Sequence, residues 1–233
     1  MSHYKDFAIL YDDLMAEAPY EDWVRFTKHF IENKKVHSFL DLGCGTGEIT
    51  LQLAKNIPVV YGVDLSAHML AIARKKAEIN KQNITWIQQD IRYLEGFSNV
   101  DLCVSYCDVM NYIVHESDLQ RTFELVYASL ADDGLFIFDV HSLYHVENNL
   151  IKETFAHATD SMAYIWDCFP GDHPGEMYHE MTFFYENKKD GNTYARIDEV
   201  HHQRTFSVET YLKLLEGAGF NQLHVFSDFS TKM

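Results

Sequence analysis

Residues 39–47 read Phe-Leu-Asp-Leu-Gly-Cys-Gly-Thr-Gly, an apolar run that ends in glycines at alternate positions. The run from Ser38 to Leu42 predicts a short buried strand, and Glu48 opens a segment whose apolar residues have helical spacing. Glycines between a strand and a helix let the backbone turn tightly and let a ligand approach the main chain. The stretch therefore predicts a strand, a tight turn and a helix, with a candidate ligand site at the turn.

Strand-like and helix-like segments alternate on both sides of this turn through the first 140 residues. The predicted strands are 38–42, 59–63, 84–87, 100–105 and 135–138, with a turn at 131–134, and the predicted helices are 20–33, 48–56, 66–80 and 116–130. This alternation predicts an α/β fold with a doubly wound, mostly parallel sheet that helices cover on both faces. Ligands of such sheets bind at the carboxyl ends of the strands.

The pattern changes after Asp139, where the chain becomes rich in aromatic residues and extended. Alternating residues predict antiparallel strands there, and Asp190-Gly191 favours a hairpin turn between the last two. The predicted strands are 163–169, 177–185 and 193–206, followed by a helix at 207–218 that begins after Ser207 and stops at Gly219, and by a final strand at 222–226.

These segments predict two parts of the chain. Residues 1–140 and 207–233 are expected to form the ligand-binding core, including an N-terminal helical cap. Residues 141–206 are expected to form an antiparallel β insertion after the fifth strand, which serves as a lid.

The composition limits the classes of function. The chain has 233 residues, with 35 acidic and 19 basic side chains and a formal net charge of −16. The acidic excess argues against a nucleic-acid partner, because such partners need Lys and Arg against their phosphates. No apolar run approaches the roughly 18 residues of a membrane span, and no basic leader precedes an apolar stretch. Four cysteines and the spacing of the acidic residues and histidines predict neither disulfides nor a metal site, so we expect a cytoplasmic protein.

The residues around the glycines indicate which ligand the turn takes. Asp64 ends the next predicted strand, 21 residues after Gly43, where a carboxylate can accept hydrogen bonds from both ribose hydroxyls. A dinucleotide fingerprint has glycine three residues after Gly45, where this chain has Glu48, and a phosphate-binding Gly-Lys-Ser/Thr loop is absent. A nucleoside without phosphates that carries a cationic sulfonium fits an acidic cleft better, which describes S-adenosylmethionine.

In these features the chain resembles the class I S-adenosylmethionine-dependent methyltransferases, in the small-molecule branch of glycine- and sugar-amine-type N-methyltransferases. Residues 41–47 match the first motif of that family, residues 62–66 its second, and residues 89–91 its adenine-binding turn. The regions 100–106 and 131–138 match its fourth and fifth strands. The resemblance covers nearly the whole chain and implies a Rossmann-like fold with S-adenosyl-L-methionine as the cofactor.

The resemblance also implies roles for single residues. The three glycines of the turn are expected to line the methionine part, and Asp64 to hold the ribose. Leu65 and Met69 are expected to pack on the adenine, with Asp90 and the Ile91 amide at its polar edge. Helix N-capping by Asp64 and Asp90, and core packing by Leu65 and Met69, are the structural alternatives. The implied cofactor-binding set is Tyr11, Asp41, Gly43, Cys44, Gly45, Gly47, Asp64, Leu65, Met69, Asp90, Ile91 and Cys107.

Four residues are candidates for catalysis: Tyr11, Asn111, His141 and His202. The segment from Phe7 to Met15 resembles the family's helical cap, in which a tyrosine matching Tyr11 closes over the cofactor; the alternative is an aromatic staple. Asn111 follows the fourth strand, together with Asp108 and Tyr112, beside the expected position of the methyl group. A histidine can remove a proton from the acceptor. Because successive strand residues point to opposite faces, only one of His201 and His202 can face the cleft.

The same loop argues against a nucleic-acid acceptor. Adenine N6-methyltransferases carry Asn/Asp-Pro-Pro-aromatic at this place, but no proline occurs between Pro58 and Pro170. Base C5-methyltransferases carry a Pro-Cys nucleophile, but Cys107 follows Tyr106. The sequence therefore predicts in-line methyl transfer to a small molecule, with a nitrogen acceptor ahead of an oxygen acceptor. A non-catalytic S-adenosylmethionine- or S-adenosylhomocysteine-binding module and a nicotinamide-dependent oxidoreductase are the alternatives.

Two further expectations concern surfaces. One face of the insertion carries His179, Met181, Phe183 and Tyr185, which would roof a small acceptor or form a homodimer contact. The sheet of this family usually ends with a hairpin strand beside the fifth strand, whereas only a few residues follow Phe226 here. We therefore expect an exposed or partner-covered edge at the fifth strand.

Overall fold

The computed structural model describes residues 11–160, 162–186 and 193–231. Its strands are β1 Ser38–Leu42, β2 Val59–Asp64, β3 Thr85–Gln88, β4 Val100–Ser105, β5 Leu130–Phe138, β6 Thr154–Ala158, β7 Met162–Pro170, β8 Glu176–Glu186 and β9 Tyr194–Arg204. Its longer helices are α1 Tyr20–Ile31, α2 Glu48–Leu53, α3 Ala67–Ile79, α4 Glu116–Ser129 and α5 Val208–Ala218. Short helical turns lie at Ile91–Tyr93, Val109–Tyr112, Leu143–His145 and Val146–Leu150.

The first five strands form a parallel sheet in the order β3-β2-β1-β4-β5, which confirms the predicted fold class. Alternate residues of β1 pack to opposite sides: Phe39 toward α1 and α2, and Leu40 and Leu42 toward α4 and α5. All three are fully buried because helices cover both faces. The strand order reverses between β1 and β4, so the loops after these two strands diverge and leave a crevice at the carboxyl edge.

Several predicted boundaries are confirmed to the residue. β1 and β4 have the predicted ends, and α3 begins after Ser66, whose Oγ accepts a hydrogen bond from the Met69 amide at 3.3 Å. Gly219 stops α5 with a left-handed φ of 106°. These elements carry strong local signals, an apolar run, a capping serine and a terminal glycine.

The fifth strand differs from its prediction. Residues 131–134 were expected to form a turn before a strand at 135–138, but β5 already begins at Leu130. Leu130 pairs with Val100 and Leu135 pairs with Leu102, so the intervening residues bulge out of an otherwise continuous strand. The acidic Asp132-Asp133-Gly134 sequence marks this bulge rather than the end of pairing.

The predicted final strand at 222–226 is wrong. None of the described residues after α5 belongs to a strand, and β5 has β4 as its only neighbour among the described strands. The aromatic side chains of this segment instead pack on α1. Phe226 lies 5.5 Å from Phe26, and Phe229 lies 5.4 Å from Trp23, between ring centroids. Alternation of apolar residues predicted a strand, but these contacts fasten the segment to a helix.

The insertion forms a separate antiparallel sheet in the order β6-β7-β8-β9. The three predicted strands are present, and β8 and β9 pair from Glu176 with Arg204 to Glu186 with Tyr194; the predicted turn at Asp190-Gly191 lies outside the described residues. The sequence analysis missed β6, a short strand whose alanines and single histidine give little β signal.

The inner face of the lid contacts the core. Met162, Phe183 and Ile197 from the lid pack against Tyr11 and Leu14 of the cap, and against Met69 of α3. The division into a core and a lid at residues 140 and 207 stays a prediction, since packing continues across it. In the described part of the chain, no helix is both long and apolar enough to cross a membrane.

Candidate active site

The three glycines of the turn after β1 have different surroundings. All three have left-handed φ values, 73° at Gly43, 53° at Gly45 and 80° at Gly47. A Cβ at Gly43 would lie 2.4 Å from Val109, and one at Gly47 would lie 2.7 Å from Trp86. A Cβ at Gly45 would meet only Tyr11, at 3.9 Å. The fold itself requires the first and third glycines, whereas Gly45 leaves open space beside its backbone, where the methionine part of the cofactor is predicted to lie.

Asp64 links the end of β2 to this turn. Its Oδ2 accepts a hydrogen bond from the Gly45 amide at 2.9 Å, and its Oδ1 accepts one from the Ser66 amide at 2.7 Å. Burial raises the pKa of this carboxyl, and the two amide bonds oppose that rise. Each carboxylate oxygen keeps a further acceptor site, so the geometry suits a vicinal diol such as ribose.

Asp41 and Cys44 lie behind the turn. Asp41 is buried, accepts a hydrogen bond from Thr50 Oγ1 at 2.6 Å, and has its pKa raised to about 7 by burial. Burial beside Asp41 and Asp64 also raises the pKa of the Cys44 thiol. These contacts join β1 to α2, so Asp41 braces the turn from the side opposite the open space at Gly45.

The residues expected around the adenine follow β2 and β3 at the same edge of the sheet. Leu65 exposes 65% of its surface, so an apolar side chain is available to a ligand. Asp90 accepts the Arg92 amide at 2.9 Å and pairs with its guanidinium at 2.6 Å, which holds the pKa of Asp90 low. Ile91 starts the helical turn that Asp90 caps, and Met69 packs against the lid. The capping alternative for Asp90 is therefore observed, whereas its contact with adenine stays a prediction.

The turn after β4 has an unusual backbone. Cys107 and Asp108 are consecutive non-glycine residues with left-handed φ values of 59° and 53°. Asp139, directly after β5, accepts their amides at 3.2 and 2.8 Å and accepts the indole Nε1–H of Trp23 at 2.6 Å. Such strain persists where the surroundings over-determine it, which is common at functional sites. The sequence analysis did not select Asp139 as a site residue, although an acidic residue directly after a predicted strand was a usable signal.

Replacing Asp139 with alanine is expected to lower the free energy of unfolding by about 2–4 kcal/mol, because it leaves three partly buried donors without an acceptor. Urea denaturation of the ligand-free protein measures this loss. Asp132→Ala removes an exposed acid from the bulge at the other end of β5 and is expected to change stability by less than about 0.5 kcal/mol. Equal stabilities of the two variants would contradict the role given to Asp139.

Asp108 lies between the core and the lid. Its Oδ2 accepts a hydrogen bond from Gln203 Nε2 and lies 3.8 Å from His141 Nε2. Both side chains keep about a third of their surface accessible, 31% for Asp108 and 30% for His141. Yet burial raises the pKa of Asp108 to about 6 and lowers that of His141 to about 4. Asp108 and His141 therefore lie where the turn after β4, the segment after β5 and the lid strand β9 come together.

Asn111 is not accessible beside Asp108 and His141. Its Oδ1 accepts the His141 amide at 3.0 Å, and its Nδ2 donates to the Arg204 carbonyl and to the Tyr211 hydroxyl at 3.2 and 3.3 Å. The side chain is fully buried. The expectation that Asn111 touches the acceptor finds no support here, because its amide is used in joining β4, β5 and β9.

His201 and His202 point to opposite faces of β9, as expected, but the inner one is His201. Its Nδ1 lies 2.7 Å from the Tyr112 hydroxyl, and burial lowers its pKa to about 4. His202 lies on the outer face, where its Nε2 is 2.7 Å from Glu176 and its ring stacks on Tyr178 at 4.3 Å. The pleat thus places His201 on the core-facing side and turns His202 away from the core, while a catalytic role for a histidine of β9 stays a prediction.

Tyr11 connects the cap, the glycine turn and the lid. Its ring approaches Gly45, and it packs against Met69 and the lid residue Phe183. Burial raises the pKa of its hydroxyl well above the ordinary value, with further contributions from Cys107 and Asp108. Tyr11, Cys107 and Asp108 therefore lie near one another, and the Tyr11 hydroxyl stays protonated.

The cap is fastened to the glycine turn by charged groups that the sequence analysis did not single out. Asp12 accepts a hydrogen bond from Thr46 Oγ1 at 2.6 Å and pairs with Lys76 at 2.8 Å. Lys76 also lies 3.3 Å from Glu48 at the start of α2. Glu48, which argued against a dinucleotide, thus has a structural partner here.

The described residues do not include a candidate metal centre. His141 and His145 are four residues apart with ring centroids at 5.3 Å, but no third histidine, cysteine or carboxylate in the described ranges completes a site.

Comparisons with known proteins agree on the family. The family described as "Methyltransferase domain" matches residues 39–134. A relative from Geobacillus sp. strain WCH70, provisionally named a methyltransferase, is 41% identical over 97% of this chain and 92% of its own length. An S-adenosylmethionine-dependent methyltransferase structure from Clostridium acetobutylicum is 32% identical, covers 98% of this chain and 92% of that one, and has a TM-score of 0.88. A sugar N-methyltransferase from Streptoalloteichus sp. shares the fold at 18% identity, covering 88% and 81% of the chains with a TM-score of 0.72.

Proposed function

The chain belongs to the S-adenosylmethionine-dependent methyltransferases, and we propose that it methylates a small molecule at nitrogen. The observation that carries this proposal is the set of polar side chains that the turn after β4 and the inner face of the lid bring together. Asp108 and His141 belong to the core side, and His201 belongs to the lid face. Polar groups that lie beneath a lid suit a small acceptor rather than a large polymer.

The proposal assigns the cofactor to the crevice beside Gly45. The open backbone there would take the methionine part, Asp64 the ribose hydroxyls, and Leu65, Met69, Asp90 and Ile91 the adenine. Bound S-adenosylmethionine supplies a methyl group that its sulfonium already activates. The task of the chain is then to align the acceptor, to exclude water and to accept one proton.

The lid and the cap perform the first two tasks in this proposal. Tyr11 and Phe183 meet above the glycine turn, so water has little access from that side. The Tyr11 hydroxyl, which stays protonated, can donate a hydrogen bond that orients either the acceptor or the cofactor. Cys107 contributes its backbone to the strained turn, and burial keeps its thiol protonated and poorly nucleophilic.

The proton goes to a histidine in this proposal. An amine that is protonated in solution must first lose one N–H proton to free its lone pair; the nitrogen then bonds the methyl carbon, and the sulfur keeps the electrons of the broken bond. His141 and His201 are both unprotonated at neutral pH, since burial lowers the pKa of each to about 4. Either ring can therefore relay the proton to solvent without retaining it.

The remaining parts of the proposal concern partners and location. The net charge of −16 supports an acceptor other than nucleic acid. All four cysteines lie in the described residues as free thiols, which supports a cytoplasmic location. The outer lid face exposes Ile165, Phe169 and Val200, and these support the proposed homodimer through the insertion, which sedimentation analysis would test.

An acceptor screen tests the function. Small amines, alcohols and thiols, with RNA and a protein extract as macromolecular arms, are incubated with S-adenosylmethionine, and S-adenosylhomocysteine release is measured. Turnover with amines and not with their hydroxyl analogues is expected. Turnover confined to alcohols or thiols contradicts nitrogen methylation, and turnover confined to the macromolecular arms contradicts a small acceptor. Gly45→Asn, whose side chain would fill the cofactor cradle, is the inactive control.

A further inference from the structure

The carboxylate of Asp108 has no cationic partner among the described residues. Other acids at this edge have one: Asp90 pairs with Arg92, and Asp12 pairs with Lys76. The nearest ionisable base to Asp108 is His141, at 3.8 Å, and it is uncharged at neutral pH because burial lowers its pKa to about 4. A poorly hydrated carboxylate without a counter-ion is costly, and a cationic ligand would offset that cost.

A chain of hydrogen bonds from the lid fixes Asp108 as an acceptor. The Trp166 indole can only donate, and it lies 2.9 Å from His179 Nδ1, so the proton of His179 is on Nε2. His179 Nε2 then donates to Gln203 Oε1 at 3.0 Å, which turns the Gln203 amide group toward Asp108 Oδ2. The donor and the acceptor of each hydrogen bond in this series are therefore fixed. The Gln203 N–H therefore favours the ionised form of Asp108 and opposes the effect of burial on its pKa.

The titratable groups that the cap, the turn after β4 and the lid bring near Asp108 are neutral or negative at pH 7. Tyr11 from the cap and Cys107 from the turn stay protonated, and His201 from the lid is uncharged. Asp139, behind the turn, adds a second carboxylate whose pKa burial raises to about 6. An acidic acceptor would meet repulsion here, and a neutral hydroxyl would gain little from the charge.

We propose that Asp108 is the binding site for the acceptor's ammonium group, so that the substrate class is an aliphatic amine that enters as a cation. This inference rests on the proposed nitrogen methylation and goes further, because it names the charge state that binds and the residue that selects it. Oδ2 is held by Gln203, and Oδ1 receives no hydrogen bond from the described residues, so Oδ1 is the oxygen available to the ammonium. His141 lies beside this position, where it can take the proton before methyl transfer.

Binding in the presence of saturating S-adenosylhomocysteine tests this proposal without relying on turnover. The probes are ethanolamine and glucosamine, with ethylene glycol and glucose as their hydroxyl counterparts, and the readout is calorimetry together with thermal shift. We expect at least one amine to bind about tenfold or more tightly than its counterpart, and Asp108→Asn to remove that preference. Asparagine tolerates the left-handed backbone at this position and keeps an acceptor for Gln203.

Two controls separate the possible outcomes. Asp108→Asn is expected to keep its affinity for S-adenosylhomocysteine within about twofold, which shows that the fold and the cofactor crevice are intact. Asp101→Asn changes a carboxylate at the opposite edge of the sheet, and we expect it to keep the amine preference.

A panel in which no amine binds more tightly than its counterpart, or an Asp108→Asn variant that retains the preference, overturns the inference. Amine turnover in the screen with an unchanged preference in Asp108→Asn would overturn this inference alone, whereas turnover only with alcohols overturns the proposed function as well.

Discussion

Gly45→Asn is expected to abolish the stabilisation of the protein by S-adenosylhomocysteine while leaving the ligand-free fold intact. A Cβ at this position meets only the Tyr11 ring, at 3.9 Å, so the protein itself has room for a side chain. The same space is the proposed position of the methionine part, which a side chain would displace. We expect the affinity for S-adenosylhomocysteine to fall by about 100-fold or more, equivalent to roughly 2.7 kcal/mol.

Asparagine is chosen so that a loss of ligand binding can be distinguished from an effect of backbone strain. Gly45 has a φ of 53°, and asparagine adopts left-handed conformations more readily than most residues. Gly96→Asn is a matched control, because Gly96 also has a left-handed φ, of 85°, and a Cβ there meets nothing within 4 Å. Both variants are expected to unfold at similar urea concentrations without ligand, and only Gly96→Asn to gain thermal stability from S-adenosylhomocysteine. An equal gain in both would exclude Gly45 from the cofactor site.

Asp64→Ala is expected to weaken S-adenosylhomocysteine binding by about 100-fold, because two ribose hydroxyls lose a charged acceptor. The carboxylate also accepts the amides of Gly45 and Ser66, so part of any loss reflects a loosened turn. Asp101 offers a control for the loss that comes from the loosened turn. It accepts two backbone amides, from His37 and Ser38 at 2.7 and 2.9 Å, at the amino-terminal edge of the sheet.

Comparison of Asp64→Ala with Asp101→Ala therefore isolates the ribose contribution. Both variants are expected to lose about 1–3 kcal/mol of unfolding free energy, since each leaves two amides without their acceptor. Isothermal titration is expected to show weakened binding in Asp64→Ala alone. Should the two variants bind S-adenosylhomocysteine equally well, Asp64 would be a capping residue and the assignment of the ribose would fail.

The core of the fold was predictable because its signals are local. The apolar run before Gly43, the capping Ser66 and the terminal Gly219 each specify a boundary through neighbouring residues. The strand predicted at 222–226 had a similar pattern, but Phe226 found aromatic partners on α1, and a sequence does not reveal which distant surface competes for a side chain. Tertiary contacts therefore determine the conformation of residues 222–226.

The candidate site likewise contains residues that the sequence predicts and residues that only the structure reveals. Asp64 follows a strand at the expected distance from the glycines, and the structure places its carboxylate against the Gly45 amide. Asn111 has the residue type expected of an acceptor ligand, but its amide is used within the protein. Gln203 acts on Asp108 from 95 residues away along the chain, so no spacing rule could have selected it. Asp139 directly follows a predicted strand, and that position could have marked it.

The positions of the three tryptophans give this protein a built-in optical reporter. Trp86 lies under the glycine turn, against the position that a Cβ of Gly47 would take. Trp23 donates to Asp139 behind the strained turn, and Trp166 begins the hydrogen-bond chain that ends at Asp108. Each indole therefore lies on a different side of the proposed site, and intrinsic emission is expected to change when a ligand binds, without any attached dye.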